Sequence, residues 1–172
     1  MLQTPVQANL ELTLKLLQAA LMKYVGLPPE RCYFVALDDP HPAHPQAEQY
    51  VTLALGSMRV KQSVIRGAGR SDARCVQDVR ITGWCRVALD EAGKADVFLL
   101  DSKRGIIAFR RAIINAILTL VPVDATQNVL ALPVRVRGSI GAGQSPDDPE
   151  WGKVELTAEV EWEEDIDLSR VG

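Results

Sequence analysis

The sequence predicts an α+β fold, in which a mainly antiparallel β-sheet is packed by two amphipathic helices in the order α-β-β-β-α-β-β. Two patterns favour the helices, because apolar residues recur at helical spacing near the N-terminus and again between residues 102 and 121. A third pattern favours the sheet, because residues 153–163 alternate between apolar and polar side chains. The 172 residues are most simply a single domain, 1–172.

The first helix is predicted over residues 9–25. Its apolar face is formed by Leu10, Leu14, Leu17, Leu21 and Val25. Asn9 can cap this helix, or Thr4 followed by Pro5 can start it one turn earlier. Gly26 is a natural end for the helix, because glycine readily adopts the left-handed conformation of a C-cap.

Three strands are predicted after this helix, at residues 32–37, 50–60 and 76–90. They are separated by a proline-rich loop at 38–49 and by a second loop at 61–75, which carries two glycines and several basic residues. The basic loop is interpreted as a mobile connection between two strands, and a loop of this length inside a compact domain is usually functional or disordered.

The second helix is predicted over residues 102–121, with a cap at Asp101 or Ser102 and an end at Pro122. Its buried stripe is expected to comprise Ile106, Phe109, Ile113, Ile117 and Leu120. A fourth strand at 132–140 and a loop at 141–151 lead to the last strand. Arg135 and Arg137 are expected to lie beside the glutamates of that strand.

The last strand has one apolar and one acidic side. The apolar side is Val154, Leu156, Ala158, Val160 and Trp162, and the other side is Glu155, Thr157, Glu159, Glu161 and Glu163. Identical carboxylates along one exposed face do not provide the different environments that separate an acid from a base. The pattern therefore predicts a surface for assembly rather than an active site.

Composition argues against several other classes of protein. The net charge of −3 does not suit a general nucleic-acid coat, for which phosphate neutralisation needs an excess of basic residues. Three cysteines without a CxxC pair are typical of buried thiols in a reducing compartment, namely Cys32, Cys75 and Cys85. No signal peptide or membrane-spanning segment is expected.

Two kinds of motif in the sequence could indicate a ligand-binding site. His41 and His44 lie in the proline-rich loop, where a solvated loop is favoured over a metal site. The glycine-rich segments 67–70 and 138–143 lack the lysine and hydroxyl of a phosphate-binding loop, so both are expected to be flexible loop tips. No catalytic, cofactor-binding or metal-binding residue is predicted, and the chain is not expected to be an enzyme.

Charge is distributed asymmetrically along the chain. Residues 59–86 contain seven basic and two acidic residues, whereas the last strand is acidic. Surfaces of opposite charge suit head-to-tail association of identical subunits into a ring. An ordinary surface of mixed charge remains the alternative interpretation.

The order of these elements resembles the tail terminator proteins of long-tailed bacteriophages, also called tail-completion or neck proteins. The resemblance is carried by the helix at 10–25, the strands at 50–56, 79–85 and 154–162, and the helix at 106–120. It covers most of the chain, but it is a resemblance of order and pattern rather than of a specific motif.

The resemblance implies a homohexameric ring at the head-proximal end of the tail. Such a ring stops polymerisation of the tail tube protein and joins the tail to the head–tail connector, and double-stranded DNA passes through its lumen without sequence-specific binding. The protein would be made in the host cytoplasm and located in the virion. Glu155, Glu159 and Glu161 are then expected to face the lumen, and Arg66, Arg70 and Arg74 to contact a neighbour.

Two alternatives stay open. One is another neck or head-completion protein, or a tail-tube protein. The other, from a different class, is a small cytosolic ligand-binding domain or enzyme, which would need an apolar pocket with a few convergent polar groups.

Overall fold

The computed structural model describes residues 5–36, 48–66, 70–88, 92–103 and 105–167. Its helices are α1 (Pro5–Val25), α2 (Asp96–Leu100) and α3 (Ile106–Leu118), with a single 3₁₀ turn at Pro29–Arg31 among the described residues. Its strands are β1 (Cys32–Val35), β2 (Gln49–Arg66), β3 (Arg70–Arg86), β4 (Arg135–Gln144) and β5 (Trp151–Asp167). The α+β class is confirmed.

The five strands form one sheet in the order β1-β2-β3-β5-β4. Only β1 and β2 pair in parallel, over four residues, and the other three pairings are antiparallel. The central strands β2, β3 and β5 are long, with 18, 17 and 17 residues. They extend well beyond the short outer strands β1 and β4.

All three described helices pack on one face of this sheet, here called the covered face. The core between helices and sheet is apolar and includes Leu17 and Leu21 from α1 and Ile113 from α3, all fully buried. The predicted apolar side of β5 belongs to this core, because Val154, Leu156, Ala158, Val160 and Trp162 are all buried. Two amphipathic helices against the sheet are therefore confirmed.

Helix α1 begins at Pro5, as in the earlier of the two predicted starts. Proline suits this position, because its fixed φ is already helical and its missing N–H would have no helical partner. The helix ends at Gly26, which has a φ of 77°. The amides of Gly26 and Leu27 both donate to the carbonyl of Met22 at 2.9 Å, which satisfies an otherwise unpaired helix terminus.

Helix α3 is shorter than the predicted 102–121 and is preceded by the unpredicted helix α2. The predicted caps are wrong, since Gly105 occupies the N-cap position without a side-chain hydrogen bond. Asp101 instead accepts a hydrogen bond from the amide of Lys103, so its carboxylate stabilises the turn between α2 and α3. The C-cap is Thr119, three residues before Pro122.

The predicted loop at 61–75 is wrong. Strands β2 and β3 continue through this segment as a hairpin, and Arg66 and Arg70 are its last paired residues before 67–69. The predicted loop at 141–151 is also too long, because β4 extends to Gln144 and leaves 145–150 as the connection to β5. Residues 37–47, which include most of the predicted loop at 38–49, lie outside the described residues.

Gly83 allows α3 to approach the sheet closely. A Cβ atom at this position would lie 2.6 Å from Ile113 Cδ1 and 2.7 Å from Phe109 Cε1. Both distances are shorter than van der Waals contact, so a larger residue would force α3 away from β3.

Strand β2 contains a β-bulge between Leu55 and Met58, where it advances one residue more than β3. The side-chain amide of Gln77 donates to the carbonyls of Gly56 and Asp78, both at 2.9 Å, and satisfies the carbonyl that the bulge leaves without a ladder partner. Because side chains alternate along a strand, the extra residue turns Arg59 away from the helices.

Candidate functional site

The side of the sheet opposite the helices, here called the open face, is the most polar surface that the structure describes. Charged side chains from four strands meet on it through ion pairs. They are Arg59 and Lys61 of β2, Arg74 and Asp78 of β3, Arg137 of β4, and Glu159, Glu161 and Glu163 of β5.

Arg59 connects three strands. Its guanidinium donates from Nη1 to Asp78 Oδ2 and from Nη2 to Glu159 Oε1, both at 2.9 Å. Asp78 Oδ2 also accepts from Ser57 at 2.8 Å and lies 3.4 Å from Arg137 of β4. Asp78 is only 14% exposed, and these donors, which all reach Oδ2, compensate part of the cost of removing its charge from water, whereas the buried Oδ1 has no hydrogen-bond partner among the described residues.

Glu161 is the centre of a second group. The residue is 8% exposed, and its carboxylate lies 2.9 Å from Lys61 Nζ and 3.5 Å from Arg74 Nε. Arg74 also pairs with Glu163 at 3.2 Å. A buried carboxylate held between two cations has little freedom to act on a ligand in solution.

The predicted acidic face is therefore largely neutralised. Glu159 and Glu161 are paired with cations of β2, which sequence patterns did not place near them. Glu155 differs, because its side chain is 50% exposed and its partner Lys153 lies on the same strand, at 2.7 Å. Of the three residues expected to face a lumen, Glu155 is the most accessible.

The arginines of β4 lie where the sequence predicted, beside β5. Arg135 is the register partner of Glu159, and Arg137 that of Thr157. The described ion pair of Arg137 nevertheless crosses β5 to reach Asp78, so the charge pairing extends beyond neighbouring strands.

Aromatic residues cover the other end of the open face. The rings of Tyr50 and Trp84 stack with centroids 6.1 Å apart, and Trp151 meets Tyr50 edge-on at 5.6 Å. Arg86 lies 5.3 Å from the centre of the Trp151 ring, and Lys153 lies 5.2 Å from that of Trp84. These cations extend over the buried aromatic rings and give this end a basic rim.

The residues expected to contact a neighbour lie along one hairpin. Arg66 of β2 and Arg70 of β3 are register partners next to its tip, and Arg74 follows on β3. The structure thus brings the three residues onto one hairpin. Arg74 is half-exposed and already paired within the chain.

The three cysteines are buried and form no disulfide, as predicted. Burial raises the pKa of Cys32 and of Cys85 to about 12. Both thiols therefore stay protonated at neutral pH and are poor nucleophiles.

Two cavities are present near α1. A groove of about 430 Å³ is lined by Leu14, Phe34, Val35, Ala36 and Leu55, with Glu11 and Lys15 at its polar side. A second cavity of about 280 Å³ lies where Arg74, Glu161 and Trp162 meet the segment 129–132. The first is mainly apolar, whereas the second includes residues of the ion-paired surface.

The other motifs add no site. His41 and His44 lie outside the described residues, as do residues 67–69. The glycine-rich segment 138–143 was predicted to be a flexible loop tip but belongs to β4, where a register irregularity occurs between Arg137 and Gly141. Within the described ranges no group of three His, Cys, Asp or Glu residues is arranged to hold a metal ion. None of the helices described has the length and apolar composition needed to cross a membrane.

Comparison with known proteins gives likenesses of fold to solved structures. A chain of a solved structure described as "Virion of native gene transfer agent (GTA) particle" matches 88% of this chain and 92% of its own length, with 19% identity and a TM-score of 0.47. A likeness at this level carries no functional argument. No protein-family model matches the chain, and no curated protein matches its sequence.

Sequence reasoning missed Arg59, Lys61 and Asp78 as partners of the glutamates. If side chains alternated between the two faces without interruption from Val51 and Leu53 onwards, residues 59 and 61 would lie on the covered face, away from the glutamates. The available signal was Gly56-Ser57, since a glycine inside a strand pattern often marks a bulge.

Proposed function

We propose that this chain is a structural protein of a tailed bacteriophage or phage-like particle, and that it acts as a tail terminator. In this role six copies form a ring at the head-proximal end of the tail. The ring stops polymerisation of the tail tube protein, joins the tail to the head–tail connector and lets double-stranded DNA pass. The protein has no catalytic role in this proposal.

The observation that supports this proposal most directly is the one-sided sheet. The described helices cover one face, and the other face presents a continuous set of ion-paired side chains on four strands. A two-layer subunit of this kind can turn its covered face outwards and its open face towards a central channel. This geometry and the order of the elements both support the proposal.

The ion pairs suit a channel that must let DNA slide. Free arginines and lysines would bind phosphates, releasing counterions and holding the DNA. In this protein Arg59, Lys61 and Arg74 are already occupied by carboxylates of the same chain. We assign Glu155, Glu159 and Glu161 to the lumen. There the negative charge of the glutamates repels phosphates, so that DNA does not displace the carboxylates from Arg59, Lys61 and Arg74.

The hairpin of β2 and β3 is the proposed contact with a neighbour. It carries Arg66, Arg70 and Arg74 and extends beyond the level at which β1 and β4 pair with the sheet. A projecting basic hairpin suits an acidic surface on the next subunit, the tube protein or the connector.

Light scattering of the purified protein across a concentration series tests the assembly. We expect a mass six times that of the 18.8-kDa chain, alone or after addition of tail tubes. A single-chain mass under both conditions would overturn the proposal.

The lumen assignment is tested with Glu155→Lys, because Glu155 is exposed and its replacement leaves the pairs of Glu159 and Glu161 intact. Particles carrying this variant are expected to eject DNA more slowly, since an added cation per subunit binds phosphates. Glu11→Lys is the matched control, as it makes the same charge change at an exposed position of α1 on the covered side. Equal ejection rates for the two variants would refute the assignment.

The groove beside α1 favours one other function, a ligand-binding domain. A thermal-shift screen against small apolar acids and amines addresses it. A dose-dependent rise in melting temperature that Leu55→Asp abolishes, in a protein that stays monomeric, would replace the assembly proposal.

A further inference from the structure

Two segments of strand edge in the described sheet have no strand beside them. Strand β1 pairs with β2 only as far as Ala54, so β2 has no described neighbour on that side over residues 55–66. On the other side β4 pairs with β5 only as far as Glu159, and the amide of Leu132 adds one bond to the carbonyl of Glu161. Residues 162–167 of β5 therefore have no described neighbour on that side.

The two free segments carry opposite charges. Residues 55–66 include three basic residues and no acidic one, whereas residues 162–167 include four acidic residues and no basic one. Charged edges often prevent sheets from pairing, but that protection needs edges that repel one another. Arg59 and Lys61 already pair with carboxylates of their own chain, so the attraction between the β2 edge of one copy and the β5 edge of another is expected at Arg66 and at the acidic residues 164, 165 and 167.

Exposed apolar side chains lie next to the β2 edge. Leu55, Met58 and Val60 are 53%, 57% and 57% exposed, although their register partners Val79, Gln77 and Cys75 are buried. They lie beyond the area of the covered face that the helices protect. A strand added at this edge would bring its own side chains against them and remove apolar area from water.

We propose that the free β2 edge of one copy pairs with the free β5 edge of the next copy, so that the sheets of neighbouring subunits join edge to edge. Strands β2 and β5 are both antiparallel to β3 and therefore run in the same direction. A rotation axis that runs along the strands preserves this direction, so the joining pair is parallel. A two-fold axis perpendicular to the strands would instead bring two like-charged edges together, which disfavours an antiparallel dimer of this kind.

The same geometry gives the register. Ile65 pairs with Ser71, and Ser71 pairs with Ile166, so the two isoleucines lie at one level of the sheet. Rotation about an axis along the strands keeps each residue at its level. Ile65 of one copy is therefore expected opposite Ile166 of the next.

This inference rests on the proposed function and makes it more specific, because it names the surface through which the ring closes. Charge reversal with rescue tests it. In the β2 variant, Gln62→Glu, Ser63→Glu and Arg66→Glu change the free segment from three positive charges to one net negative charge. In the β5 variant, Glu164→Lys, Asp165→Lys and Asp167→Lys change four negative charges to two net positive ones.

Each variant alone then has two edges of like charge and is expected to give the single-chain mass by light scattering. An equal mixture has two attractive junctions, from β2 variant to β5 variant and back, and is expected to recover the wild-type mass. Melting curves confirm that each variant is folded. Assemblies that persist in both single variants, or folded variants whose mixture stays monomeric, would contradict the proposal.

A cross-link gives a readout that does not depend on charge or on the folding of those variants. Ile65→Cys and Ile166→Cys proteins are mixed under mild oxidation, and a disulfide between the two different chains is expected. The native thiols are buried and give little background. As the matched control, Ile107→Cys, on the exposed side of α3, replaces either partner and is expected to give no cross-link.

The outcomes separate this inference from the proposed function. A sixfold mass without the cross-link means a ring that closes through other contacts, which refutes edge pairing alone. A cross-link in an assembly of two copies, or in an open-ended series, supports edge pairing and refutes the terminator ring. A wild-type protein that is monomeric both alone and with tail tubes, and that forms no cross-link, refutes both.

Discussion

The two faces of the sheet are stabilised in different ways. On the covered face, side chains such as Ile113, Phe109 and Val154 are removed from water and packed against one another. On the open face, charges such as Arg59 and Glu159 remain partly exposed and are held by ion pairs. Burial contributes most of the free energy of folding, whereas exposed ion pairs contribute little. The covered face therefore determines most of the fold, and exposed charges of the open face such as Glu155 can change at small cost, whereas the nearly buried Glu161 cannot.

The largest effect is expected from Ile113→Ala, in the centre of the covered face. Ile113 is fully buried, so its truncation leaves a cavity and should lower the free energy of unfolding by about 2–5 kcal/mol. Ile107→Ala is the matched control on the same helix, where the side chain is 39% exposed and the loss should stay below about 1 kcal/mol. Urea denaturation measures both, and equal losses would mean that α3 does not pack as described.

A smaller effect is expected from Arg59→Ala on the open face. The variant removes two ion pairs, yet Asp78 keeps Ser57 and Arg137 as partners, so the loss should be about 1 kcal/mol. The loss should shrink in 1 M salt, because screening weakens exposed pairs. Arg111→Ala, at an exposed position of α3, is the control and should cost less. If Arg59→Ala lowered the free energy of unfolding as much as Ile113→Ala does, the two faces would not be stabilised in different ways.

The smallest effect is expected outside both faces, at Asp124 in the segment between α3 and β4. Hydrogen bonds from the side chain of Thr126 and from Asn128 lower the pKa of Asp124 to about 2. A depressed pKa stabilises the folded state above the ordinary pKa of 3.8, and this stabilisation is lost as the pH falls through about 2. The melting-temperature difference between wild type and Asp124→Ala should therefore be constant above pH 5 and smaller at pH 2. A difference that is the same at both pH values would show that these hydrogen bonds do not depend on the charge.

The covered face could be predicted from the sequence because burial leaves a periodic pattern. The alternation of Val154 to Trp162 and the helical spacing of Leu14, Leu17 and Leu21 identify the core directly.

The open face could be predicted only in part. The glutamates of β5 and the arginines of β4 are adjacent in a hairpin, so Arg135 was correctly expected beside Glu159. The partners Arg59 and Lys61 come from β2, which lies two positions away from β5 in the sheet. Arg59 is near the end of a predicted strand, and Lys61 begins the segment that was predicted to be a loop. Local patterns do not contain that information, because it depends on which distant strands are neighbours.

The extra residue between Leu55 and Met58 reverses the alternation of side chains along β2. Before it, odd-numbered positions such as Val51 and Leu53 point towards the helices, and after it the odd-numbered Arg59 and Lys61 point the other way. A second extra residue between Val60 and Gln62 reverses the alternation again, so the change is confined to the segment that carries Arg59 and Lys61. Deletion of Gly56 would close the bulge and leave Met58 opposite Gln77 and Arg59 opposite Val76, on the faces they now occupy. The bulge thus allows a strand whose uninterrupted alternation would place Arg59 beneath the helices to present this arginine to Asp78 and Glu159 instead.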